Sequence, residues 1–235
     1  MARKDSKQTG NRLLAALSPK DLASLSRHFE SVPLPLREGL SKAGRRIPFA
    51  YFPESGMISL VQPLEDGATI EVGLVGREGF FGVPLVLGAR SSPVEAMVQG
   101  EGTALRVPAE ILIAEAGRNE RLRALLLRYA QAHLSQVPQI AACNGRHAVR
   151  QRLARWLLEA QDRLGGDTVP ISHESLSFML GCRRAGVSES LAELKTSGIS
   201  AAGRSAIHVG NRKSLEAAAC ECYRTTRAEF RRLLP

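Results

Sequence analysis

The sequence predicts an α+β chain in three consecutive parts: an antiparallel β-roll, a long helix, and a compact helical end carrying a β-ribbon. Three observations carry this expectation. From about Ile47 to Val107, glycine and proline punctuate short runs rich in Val, Ile and Leu, the texture of an antiparallel sandwich or roll. The stretch "NERLRALLLRYAQAHLSQ" then has no glycine, and its apolar residues recur every three or four positions, as in a helix with one buried stripe. Beyond Gly166, short helical patterns are separated by single glycines and followed by two apolar runs around Ala202-Gly203-Arg204.

The chain has 235 residues, 44% of them apolar, enough for one large domain or two ordinary ones. No apolar run is long enough to cross a bilayer. The opening "MARKDSKQTGNR" has no apolar core of the secretory type. The expectation is a cytoplasmic protein with no membrane partner. Net charge is +9, and residues 146–235 hold 15 Lys and Arg against 9 Asp and Glu, whereas residues 1–145 hold 17 against 14. The basic excess lies in the C-terminal part and suggests a polyanionic partner.

In chain order, "ALSPKDLASLSRHFE" carries a helix start: Ser18 as cap, Pro19 at the first helical position and Asp21 three after the cap. "VPLPLREG" breaks that helix. "MISLVQPLEDGATIEVGLV" reads as two strands joined by a turn at Glu65-Asp66-Gly67. "EAMVQG" and "TALRVP" read as a second pair around Gly100-Glu101-Gly102. On the long helix Leu122, Leu126, Tyr129, His133 and Ile140 form a stripe expected to pair with a copy of itself. Pro138 should kink or end this helix, because it lacks a backbone donor. "AVRQRLARWLLEAQDRL" is a further helix, stopped at Gly165-Gly166.

"ISHESLSFMLG" starts at the cap candidate Ser172 and stops at Gly181. "RRAGVSESLAELKTSG" follows after a very short turn. Helix, tight turn, helix and ribbon, in that order, make the winged form of a helix-turn-helix. A single last helix is expected from Ser214 to about Leu234. In a helix-turn-helix the second helix puts its N-terminal residues at the base edges of the major groove. Val187, Leu191 and Leu194 supply a buried face, and Arg183 and Arg184 supply donors on the first exposed turn. Arginine hydrogen-bonds guanine O6 and N7 bidentately.

With these elements in place, the chain resembles the Crp/Fnr (cyclic-AMP receptor/fumarate–nitrate regulator) family of bacterial transcription factors over nearly its whole length. "YFPESGMISLV" and "VGLVGREGFFGVPLVLG" are similar to the family's roll. "RHAVRQRLARWLLEAQDRL" and "VPISHESLSFMLGCRRAGVSESLAELKTSGIS" are similar to its hinge and DNA-binding segment. The resemblance implies a jelly roll of the cyclic-nucleotide-binding type with a dimerisation helix (about 109–145) over residues 1–147. Residues 148–235 would form a winged helix-turn-helix. It also implies a homodimer that reads an inverted repeat in double-stranded DNA. The roll would sense a signal or contact RNA polymerase, coupled through a hinge near His147–Val149.

Two departures matter. Family members that bind cyclic nucleotides carry Gly-Glu-Leu and then Arg-Ser/Thr-Ala around the phosphate. This chain has Gly82-Val83-Pro84, and Arg90 comes too early in its loop to match the family arginine. The polar pair that receives the base is replaced by Val137-Pro138. The lost charge-assisted contacts argue against cyclic AMP or GMP, so no cofactor is expected and the effector is unassigned. Gly82, Val83, Arg90 and Val137 remain the candidate effector pocket. On the recognition helix Arg184 matches the family, whereas Ala185 and Glu189 replace a glutamate and an arginine. Ala185 has a methyl for thymine, and Glu189 has acceptors for cytosine or for a neighbouring arginine. Ser188, Ser172, His173 and Lys195 are further DNA-contact candidates. Arg204 at the ribbon tip either reaches phosphate or is an ordinary turn residue.

No metal or catalytic site is expected. Cys220-x-Cys222 is tighter than a zinc knuckle and no second pair follows, so Cys143, Cys182, Cys220 and Cys222 read as small buried residues. Gly73–Gly79 lacks the Gly-Lys-Ser/Thr ending of a phosphate loop. Ser172-His173-Glu174 are adjacent and cannot form a hydrolase relay. The rival to a DNA-binding regulator is a small-molecule-sensing roll with a protein–protein adaptor at its C-terminus. Such an adaptor would show no duplex affinity and no steep salt dependence.

Overall fold

The computed structural model describes residues 9–201 and 205–234. It opens with α1 (Arg12–Ala15) and α2 (Pro19–Ser26). Ser18 caps α2 by accepting from the Asp21 N–H at 3.2 Å. The strands β1 (Glu30–Leu34), β2 (Gly39–Ser41), β3 (Phe49–Pro53), β4 (Met57–Pro63) and β5 (Thr69–Val75) follow. After the short α3 (Val83–Val86) come β6 (Glu95–Gly100) and β7 (Gly102–Pro108). Then come α4 (Ala109–Arg118), α5 (Glu120–Arg146), α6 (Val149–Leu164), β8 (Thr168–Val169), α7 (His173–Leu180) and α8 (Arg184–Leu194). β9 (Ile199–Ala201), β10 (Ile207–Val209), α9 (Arg212–Ala218) and α10 (Cys222–Leu233) complete the chain.

The roll consists of two antiparallel sheets, β1-β7-β3 and β2-β6-β4-β5. The segment expected only to break a helix supplies β1 and β2. Its Pro33 is tolerated because β1 lies at a sheet edge. The β4–β5 hairpin forms as predicted, with Gly67 at φ +82 in its turn. The expected β6–β7 hairpin does not form: β6 pairs with β2 and β4, and β7 with β1 and β3. The chain changes sheets at Glu101, and glycine permits this. Gly56, at φ +77, lies so near the corner that a Cβ would stand 2.6 Å from the Gly100 carbonyl.

Between the sheets and under the long helix, Phe52, Phe80 and Tyr129 stack into one core with Leu25, Leu112 and Leu126. The helical region expected at about 109–145 is two helices. Asn119 ends α4 and starts α5, its side chain accepting from the Leu122 N–H at 3.0 Å. Pro138 neither ends nor divides α5. The carbonyl it leaves unpaired belongs to Leu134, a solvent-exposed residue, so the helix continues through the proline at little cost.

A second core joins α6, α7, α8 and the three-stranded ribbon β8-β10-β9. Trp156 lies at its centre, fully buried. Met57, Val61 and Leu74 of the roll belong to the same core, so the C-terminal unit is packed onto β4 and β5. A buried polar junction crosses the contact. Trp156 Nε1–H donates to Glu71 at 2.7 Å, Ser59 donates to the other Glu71 oxygen at 2.6 Å, and Arg163 pairs with Glu78 at 2.9 Å. The last helix is interrupted: Ala219 is extended (ψ 153), which separates α9 from α10. The second of these returns to pack on α5, where Phe230 meets the Tyr129 ring. Among the described residues no helix is long and apolar enough to cross a membrane.

Candidate nucleic-acid interface

The C-terminal unit presents α8 through local hydrogen bonds that its sequence encodes. Ser172 caps α7, accepting from the Ser175 N–H at 3.0 Å. Gly181 ends α7 in the left-handed region (φ 57), and the Cys182 N–H returns to the Ser177 carbonyl at 3.0 Å. Two residues later α8 begins. Val187, Ser190 and Leu194 anchor it in the core, and Leu191 is half-buried beside them.

The opposite face is open. Arg183, Arg184, Ala185, Ser188 and Glu189 are all solvent-exposed, and among the described residues neither arginine is in an ion pair. Arg183 occupies the cap position of α8, and no side chain caps its first-turn N–H groups. His173 reaches across from α7, its Nδ1 3.1 Å from Ser188 Oγ. This brings six of the predicted residues to one end of α8: His173, Arg183, Arg184, Ala185, Ser188 and Glu189. Ser172 is half-buried and its hydroxyl serves the cap. Lys195 is exposed but follows the last turn, about 16 Å along the helix from Arg184 at 1.5 Å per residue. Arg204 lies outside the described residues. Arg150, which the sequence reading missed, stands beside α8 and pairs with Glu193 at 3.4 Å.

The predicted pairing stripe on α5 is not on its surface. Leu122, Leu126 and Tyr129 are fully buried, and His133 and Ile140 nearly so, because the roll and α10 cover that face. His133 is held neutral, its pKa pushed down to about 4 by burial, with Arg163 acting in the same direction. The exposed line is instead Ala124, Leu127, Gln131, Leu134, Pro138, Ala141 and Gly145, at the alternating three- and four-residue spacing of a coiled-coil seam. That spacing is readable in the sequence, but the stronger buried stripe masks it.

The four predicted pocket residues do not converge. Gly82 (φ 130) starts α3, and Val83 packs into the roll core. Arg90 is at the surface, 2.6 Å from Glu110. Val137 is exposed on α5. Among the α5 residues that face the roll, His133 and Gln136 pack against Gly73. A cleft of ≈640 Å³ opens elsewhere, between the Arg77–Glu78 loop and α6, α9 and α10, and none of the four lines it.

Comparison with known proteins agrees with this architecture. Residues 34–119 match the family model of the cyclic nucleotide-binding domain, and residues 151–218 match that of the Crp-like helix-turn-helix domain. No curated protein matches the chain significantly in sequence. The chain is similar in structure to FixK2 from Bradyrhizobium japonicum (TM-score 0.70, 20% identity, covering 82% of this chain and 98% of that one). A CRP-family transcriptional regulator from Thermus thermophilus gives a TM-score of 0.67 at 22% identity, covering 80% and 96%. CLP from Xanthomonas campestris, a c-di-GMP responsive global regulator, gives 0.66 at 17% identity, covering 83% and 100%. With the two family matches in this order spanning more than half of the sequence, and with the roll, long helix and helix-turn-helix observed in the fold, the chain belongs to the Crp/Fnr family of transcription regulators.

Proposed function

We propose that the protein is a sequence-specific, homodimeric DNA-binding regulator that reads an inverted repeat and does not require cyclic AMP. One observation carries this reading: Arg183 and Arg184 lie exposed at the start of α8, in no ion pair among the described residues, beside first-turn N–H groups that no side chain caps. That end offers bidentate donors for guanine and a helix terminus for phosphate. Ala185 and Glu189 alter the side chains offered to the bases, so the operator differs from that of family members with glutamate and arginine there. The seam of Leu127, Leu134 and their neighbours on α5 would receive the same seam of a second copy, which sets two α8 helices on one face.

Independence from cyclic AMP is supported by the four candidate residues, which are scattered over a core helix, a surface ion pair and an exposed helix face. RNA polymerase contact and activity in the cytoplasm follow from the family reading, and no catalytic role is assigned. The test is selection of bound duplexes from a random pool by purified protein without added ligand. The expected result is a palindromic motif. An unenriched pool, together with the absence of any salt-dependent duplex affinity, would support the adaptor reading instead.

A further inference from the structure

Cys143, Cys220 and Cys222 are three buried thiols that form a small cluster apart from both leucine-rich cores. His147 joins them, and the four ligand-type atoms all lie within 4.8 Å of one another. Cys143 and His147 are one helical turn apart at the end of α5. Cys220 and Cys222 flank the start of α10, brought inward by the extended Ala219 between α9 and α10. Cys143 Sγ is 3.5 Å from Cys220 Sγ, and Cys222 Sγ is 3.5 Å from His147 Nδ1. A tetrahedral zinc ion with Zn–S of about 2.3 Å and Zn–N of about 2.0 Å requires S···S edges of about 3.8 Å and S···N edges of about 3.5 Å. The cluster is within a few tenths of an ångström of that figure along both measured edges.

The surroundings are those of a metal site. The second imidazole nitrogen, Nε2, is 3.2 Å from the Glu221 carboxylate. This is the carboxylate–histidine arrangement that orients a ligating ring and fixes its tautomer. Gln139 donates its amide N–H to Cys222 Sγ at 3.0 Å, a contact that favours thiolate. Three thiolates on a divalent ion leave one net negative charge. The buried Arg155 guanidinium is near enough to interact electrostatically with Cys143. Cysteines serving only as small core fillers need neither an imidazole nitrogen nor an amide donor aimed at sulfur.

We infer that Cys143, His147, Cys220 and Cys222 form a Cys3His site for a thiophilic divalent metal, zinc by its donor set and geometry. On binding, the three thiols release their protons to solvent and the imidazole ligates through Nδ1. The site ties the last turn of α5, at the joint with α6, to the first turn of α10. A bound ion therefore fastens the start of α10 to the end of the long helix, beside its joint with α6.

The test is titration of the full-length, chelator-treated, reduced protein with cobalt(II), followed by displacement with zinc. The expected result is one cobalt per chain, with the visible ligand-field bands and sulfur charge transfer of a tetrahedral thiolate site, lost on adding zinc. Cys222→Ser should abolish the bands and Cys182→Ser should leave them unchanged. Glu221→Gln acts only through His147 and is expected to weaken affinity roughly 10–100-fold. Its exposed carboxylate makes loss of folding irrelevant to that measurement. A reduced, folded wild-type chain that takes up no stoichiometric cobalt and shows no such bands overturns the inference. So does a tetrahedral site that survives Cys222→Ser.

Discussion

Glu71 makes the pH dependence of stability a direct test of the contact between the roll and the C-terminal unit. Its carboxyl is buried between β5 and α6, held by Ser59 and the Trp156 indole. Burial pushes its pKa up from the ordinary 4.5 to about 8, against the opposing pull of those two hydrogen bonds. The folded state therefore binds this proton more tightly than the unfolded state does. Its contribution is intact below pH 4.5 and is lost progressively as pH rises towards 8. The loss is about 1.4 kcal/mol per pH unit in that window, or roughly 3 kcal/mol by pH 7. Glu71→Gln preserves the shape, an acceptor for Trp156 and a donor for Ser59, but does not titrate. Urea unfolding of both proteins from pH 5 to 9 isolates the effect, because every other titrating group is common to them. The wild type should lose stability relative to the variant as pH rises, by about 1 kcal/mol or more per unit, and the difference should level off above pH 8. Parallel profiles would refute a buried, proton-holding Glu71 and with it the packed junction.

Further outcomes concern the interface, the seam and the roll. Arg184→Ala should weaken binding to the selected duplex by about 1–3 kcal/mol and relax preference at one base position, read by fluorescence anisotropy across single-base variants. An unchanged preference would remove Arg184 from base readout. Lys195→Ala should lower the slope of log affinity against log salt by about one, with equal losses on all sequences. Leu134→Glu places a charge on the exposed α5 seam. Sedimentation should show a folded monomer, and a dimer unchanged in stability would move the interface elsewhere. Cyclic AMP at millimolar concentration should leave the melting temperature where it was, since a ligand that binds the native state raises it by mass action. An upward shift would restore nucleotide binding.

Much of the fold was legible because it is built from short-range signals. Ser18 and Ser172 cap helices three residues ahead, and Gly165 and Gly181 adopt the left-handed stops expected of them. The β4–β5 hairpin follows its Asp-Gly turn. The expectations that failed were those asking which surface covers an apolar face. Tyr129 and His133 have the spacing of a pairing stripe, yet their own roll and α10 bury them. "EAMVQG" and "TALRVP" have the spacing of a hairpin, yet the corner at Glu101 sends them to different sheets. The four pocket residues were placed by resemblance, and the packing of this chain separates them.

Local chemistry along the chain therefore determined the order of elements, their caps and the outward presentation of Arg183 and Arg184, because each depends on hydrogen bonds and periodicity within a few residues. The tertiary structure alone decided which stripe of α5 is left exposed, that Glu71 meets Trp156, and that Cys143 and His147 meet Cys220 and Cys222 across more than seventy residues of chain. Periodicity states that a face is buried. Only the closure of the whole chain, with the return of α10 onto α5, selects the partner that buries it.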